Sequence, residues 1–169
     1  MLDITQPDIF DNLFVFCEST GVYINNSGEL LTIVNYLHGR CHLFAIALKN
    51  HFGDKVQIHS IIEYIPVDGD SPPVAHLVHS YISVDNGVML DARGVITEAD
   101  LMEFPIFGLE TETIIMSTEG VLASAAQWGE PNEHEISYLE IFIAQNREIY
   151  TLELPDDDLS DEQQKNIKS

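Results

Sequence analysis

Three residue types in this chain of 169 residues could together support thiol chemistry: a cysteine, Cys41, a nearby histidine and an aspartate, Asp91. Cys41 stands directly after Gly39-Arg40 and opens an apolar-periodic run ending at Phe52. A thiol at a helix N-terminus feels the positive end of the helix dipole, which favours the thiolate, the nucleophilic form. Backbone N–H groups in the first turn of a helix lack intrahelical partners, so the same position offers donors to an oxyanion. A thiolate that cleaves or transfers an acyl group also needs a base beside it and a third group to orient that base. His76 and His79 are the available imidazoles, and Asp91 follows on the next strand-like segment.

Strand parity chooses between the two histidines. Val74 to Val84 and Val88 to Ala92 read as a hairpin closing over Asp85-Asn86-Gly87. A three-residue loop with Gly87 in the left-handed position pairs Val84 with Val88, Tyr81 with Asp91 and His79 with Arg93. His79 and Asp91 then become diagonal neighbours on one face, about 7–8 Å apart at the backbone. A two-residue Asn86-Gly87 turn would send Asp91 to the other face. His76 lies too far along the strand for either register.

Other groupings carry less. His38, Cys41 and His42, with His76 or His79, supply metal-ligand types, but their spacing matches no common zinc pattern. His134-Glu135 does not begin an HExxH motif, because Tyr138 stands where the second histidine belongs. No cofactor motif is present. Tyr81, Trp128 and Tyr64 are candidates for a substrate cleft. Arg93 is a candidate either to pair with a nearby carboxylate or to bind one on a substrate. Cys17 sits on an apolar helical face and reads as core.

The elements that must position these residues follow from periodicity and punctuation. Helices are predicted over Pro7 to Cys17, Gly28 to Leu37, Cys41 to Phe52 with Gly53 as the stop, Glu119 to Trp128, and from a cap near Asn132 and Glu135 to about Tyr150. Thr97 with Asp100 resembles a capping box opening a short helix. Strands are predicted over Lys55 to Ile65, in the hairpin, and over Thr113 to Met116. The fold class is therefore α+β, with helices packed on an antiparallel sheet. Residues 1–154 read as a single domain, and 155–169 as an acidic, flexible tail.

Composition narrows the partners. Twenty-eight acidic residues against seven basic ones give a net charge of −21, which excludes a grip on nucleic acid or on an anionic membrane surface. No run approaches the roughly 18 apolar residues of a membrane span, and no leader peptide is visible. Two cysteines make no disulfide framework. A cytoplasmic setting is expected, with a protein or peptide partner, basic by charge complementarity.

The segments GRCHLFAIALKNHFG and HSYISVDNGVMLDARG resemble small papain-like or transglutaminase-like proteins of bacteria and their phages. The likeness covers about residues 35–96 and includes the order Cys, His, Asp. It implies a nucleophile at a helix N-terminus facing an antiparallel sheet, with Cys41 as nucleophile, His79 as base and Asp91 orienting it. Papain-like enzymes carry a Gln shortly before the Cys to help hold the oxyanion; here the shorter Asn35 stands six residues before Cys41. The implied activity is hydrolysis or acyl transfer at a peptide, isopeptide or side-chain amide through a thioester. The charge alone suggests a different class, a non-catalytic acidic binder such as a phage-type inhibitor or DNA-mimic-like decoy of a basic host factor.

Overall fold

The structure is a computed structural model and describes residues 16–17, 21–22, 31–105, 107–131 and 134–153. The predicted helix over Pro7 to Cys17 and the acidic tail fall almost wholly outside these residues. Where that helix is described, at Phe16–Cys17, the backbone is instead a short strand (β1). It pairs antiparallel with Gly21–Val22 (β2).

The main sheet has five antiparallel strands: β3 (Gln57–Ile65), β4 (Val74–Ser83), β5 (Met89–Asp91), β6 (Gly94–Ile96) and β7 (Thr111–Met116). Their spatial order is β6-β5-β4-β3-β7. Four isoleucines stand among the nine residues of β3, in keeping with the strand preference of β-branched side chains. Strand β6 was not expected: three residues following a tight turn give too short a pattern to read.

Helix α1 (Cys41–Phe52) begins and ends where its sequence indicates. It lies against β4 and against α4 (Glu135–Gln145). Its residues Leu43, Phe44, Ala45, Ile46, Ala47 and Leu48 are all buried, and Ile58, Ile82, Leu90, Leu139 and Ile143 belong to the same core. Phe44 anchors an aromatic group, with ring centroids 5.3 Å from Tyr150, 5.9 Å from Tyr36 and 6.4 Å from Phe142. Burying such rings supplies much of the drive to bring helix and sheet together.

Three helical expectations need adjusting. Within the described part of Gly28 to Leu37 there is a 3₁₀ turn, Ile33–Tyr36, closed by a capping box between Thr32 and Asn35. The segment Glu119 to Trp128 divides into α3 (Thr118–Ser124), capped by Ser117, and a 3₁₀ turn at Ala126–Trp128. α4 stops at Gln145, not near Tyr150, since a succession of turns carries the chain on. The small helix α2 (Glu98–Leu101) has the capping box read from Thr97 and Asp100. Among the described residues, no helix is long and apolar enough to cross a membrane.

Candidate active site

The hairpin takes the longer loop. The N–H of Val84 donates to the Val88 carbonyl at 3.0 Å, and Gly87 sits at φ +90°. Ile82 pairs with Leu90 and Ser83 with Met89, so continuing the ladder one step sets Tyr81 opposite Asp91. His79 and Asp91 share a face as the parity argument requires. His79 Nε2 lies 3.0 Å from Asp91 Oδ2.

A β-bulge sits beside this histidine. Ile61 pairs with His79 but Ile62 pairs with Leu77, so Val78 is an extra residue in β4. Bulges re-aim side chains and are frequent beside functional sites. Because Glu63 pairs with His76, the bulge sets His76 and His79 on the same face although they are three residues apart.

Asp91 is held from several directions. Its Oδ1 accepts the backbone N–H of Arg93 at 2.9 Å, and its Oδ2 accepts Arg93 Nη2 at 2.7 Å. Arg93 Nε lies 3.1 and 3.2 Å from the two oxygens. The tight turn that brings Arg93 back requires Gly94, at φ +99°, where a Cβ would stand 2.9 Å from Ile149 Cγ2. Of the two roles considered for Arg93, the structure supplies the pairing with a carboxylate. Its guanidinium is buried against Asp91 and lies 5.2 Å over the Phe104 ring. Phe104 in turn stacks on the His79 imidazole, centroids 3.7 Å apart and planes within 5°. No sequence signal marks Phe104: it lies in a loop beyond α2, and only the fold brings it to the histidine.

Cys41 is the first residue of α1. Gly39 makes the turn into the helix at φ +84°. Arg40 is tied down on the far side by Glu135 of α4, a fully buried carboxylate that also accepts the Tyr36 hydroxyl at 3.1 Å. The sequence suggests Glu135 only as a helix-start residue; its role as the anchor of the segment before Cys41 emerges from the fold. Asn35 Oδ1 is engaged by the N–H of Thr32 at 2.8 Å, and the Asn35 carbonyl accepts the Arg40 N–H at 3.2 Å. Asn35 therefore braces the same approach to Cys41.

The electrostatics of the pair run in opposite directions. Burial pushes the Cys41 thiol up, but the neighbouring His42 and His79 outweigh it, and the pKa falls to about 6. Burial pushes His79 down, but Asp91 and Cys41 outweigh it, and the pKa rises to about 9. Between those values the favoured state is a thiolate beside an imidazolium. The bond from Nε2 to Asp91 leaves Nδ1 to meet Cys41. Nδ1 is buried and closes no hydrogen bond in this arrangement, although the two groups are near enough to move each other's pKa. Asp91 is pushed up by burial and more than restored by His79 and Arg93, so it stays ionised. The convergence lies deeper than an open surface site: Cys41 is 3% exposed, Asp91 2% and His79 0%.

A cleft of ≈ 530 Å³ adjoins this centre, lined by His38, Gly39, Val78, Glu103, Phe104, Pro105 and Trp128. Trp128 is thus where a cleft residue was expected, at 40% exposure. Tyr81 is not: it is buried between the rings of His59, at 5.2 Å, and His79, at 6.5 Å. Tyr64 lines a separate hollow with Ile62, Leu77 and Ile114. Among the described residues no group of three or more His, Cys, Asp or Glu side chains is arranged to hold a metal ion. No protein-family model, no curated protein and no solved structure matches the chain.

Proposed function

We propose that the protein is a cysteine-nucleophile hydrolase or acyl transferase of the papain/transglutaminase-like kind, acting on a peptide, isopeptide or side-chain amide. The observation that carries this reading is the placement of His79. Asp91 grips Nε2, Phe104 covers the ring, and Nδ1 is left without a hydrogen bond beside the helix-initial thiol.

The steps follow from these residues. The Cys41 thiolate attacks the amide carbonyl, and the oxyanion that forms is met by N–H groups of the first turn of α1. The N–H at His79 Nδ1 protonates the leaving amine as the C–N bond breaks, giving a thioester on Cys41. The neutral imidazole then takes a proton from water or from a second amine as it attacks the thioester, releasing the acid or the new amide and regenerating the thiol pair. Asp91 stays ionised throughout and orients the ring; its own bonds to Arg93 hold it in place.

Iodoacetamide tests the site. Cys41 is expected to be alkylated rapidly at pH 7 in the folded chain, as read by mass spectrometry, and His79→Ala is expected to slow this at least tenfold. A Cys41 that reacts only after denaturation would sink the proposal. The competing account, an acidic binder without chemistry, would then stand, with salt-sensitive binding to a basic partner surviving Cys41→Ser as its mark.

A further inference from the structure

Building on the thiol reading above, we infer that the cleft selects its substrate by a cationic side chain, that of lysine or arginine beside the amide under attack, seated between Glu103 and Trp128. The cleft has the size of a small-ligand pocket and is walled mainly by apolar and aromatic groups. Among the described residues Glu103 is its one carboxylate, and no lysine or arginine lines it. The two arginines nearest in sequence to the site are committed elsewhere, Arg93 to Asp91 and Arg40 to Glu135. Among the described residues Glu103 has no cation within ion-pair distance, although Arg93 feels its charge from farther off.

His38 does not offset that charge. Burial, then the charges of His79 and Arg93, lower its pKa, so near neutral pH it is uncharged. Trp128 offers the other half of the subsite. Trp128 is 40% exposed beside Gly39, with the His76 ring 5.4 Å from its own, and an exposed indole attracts a cation. A carboxylate and an indole on one cleft suit an ammonium or guanidinium on an aliphatic stem and disfavour an anion.

The position fits the chemistry. Gly39 is two residues from Cys41, Val78 adjoins His79, and Phe104 lies on the His79 ring. A chain whose amide reaches the sulfur therefore lays a neighbouring side chain in this cleft. The overall charge of −21 raises the local concentration of any basic substrate without choosing among them. Glu103 supplies the local choice.

Capped dipeptide acyloxymethyl ketones carrying lysine, norleucine or glutamate test this on the full chain. In each, Cys41 Sγ forms a bond to the methylene carbon and displaces the carboxylate. Lysine and norleucine differ chiefly in charge. The lysine reagent is expected to inactivate Cys41 about five- to tenfold faster than the norleucine reagent at low ionic strength, with the advantage shrinking as salt is added. The glutamate reagent is expected to be the slowest. Glu103→Gln should bring the lysine-to-norleucine ratio close to one, while Glu112→Gln, at an exposed glutamate on β7, should leave it unchanged. Equal rates for lysine and norleucine, or a ratio that survives Glu103→Gln, overturn the selectivity while rapid iodoacetamide labelling leaves the thiol site standing. Sluggish iodoacetamide labelling overturns both.

Discussion

Replacing Asp91 by alanine should cost the protein a substantial part of its stability. The carboxylate is 2% exposed and lies between two cationic partners, 3.0 Å from His79 Nε2 and 2.7 Å from Arg93 Nη2. Removing it leaves the Arg93 guanidinium buried without its counter-charge, and a guanidinium cannot shed its proton. His79 can, so the arginine carries most of the penalty. Breaking a buried ion pair from one side costs about 3–5 kcal/mol, and a domain of this size shifts its midpoint by about 2–4 °C per kcal/mol. The expected fall in Tm is therefore about 6–20 °C by scanning calorimetry at pH 7. Adding Arg93→Met to Asp91→Ala should recover part of it, because the stranded charge is then gone. A single variant within about 2 °C of the parent would refute the claim that this carboxylate holds the site together.

The pH profile follows from the two shifted groups. Below pH about 6 Cys41 holds its proton, so iodoacetamide labelling should rise through that value and then level off. His79→Ala should move the rise upward toward an ordinary thiol, though only part of the way, because His42 also lowers Cys41. Turnover of an amide should fall again above pH about 9, where His79 can no longer donate a proton, whereas labelling should not. Gly94→Ala should destabilise by about 1–3 kcal/mol from backbone conformation alone, with the contact to Ile149 added, as read by urea unfolding. An unchanged urea midpoint would mean that the turn tolerates a side chain.

What the sequence discloses is mostly local. Cys41 to Phe52 has a clean helical period and a glycine at each end, and its bounds match. The Asp85-Asn86-Gly87 turn fixes a register, and from that register the meeting of His79 and Asp91 follows. Residues whose importance comes from distant packing are invisible in the pattern. Phe104 has no periodic context, and Glu135 lies 95 residues from Arg40, its partner. Tyr81 looks like a cleft aromatic by type, yet its strand turns it inward between two imidazoles. The bulge at Val78 also escapes notice, because one surplus residue leaves the alternation of a mostly apolar strand unchanged to the eye.

That surplus residue has a consequence for how β4 tolerates change. The sheet itself has no use for Val78: deleting it would let β3 and β4 zip without interruption. Without it Leu77 would still stand opposite Ile62 and His79 opposite Ile61, so the ladder keeps its register either way. What the surplus residue adds is the local kink and twist that aim the imidazole. A one-residue deletion here can preserve every rung and still swing the ring away from sulfur and carboxylate.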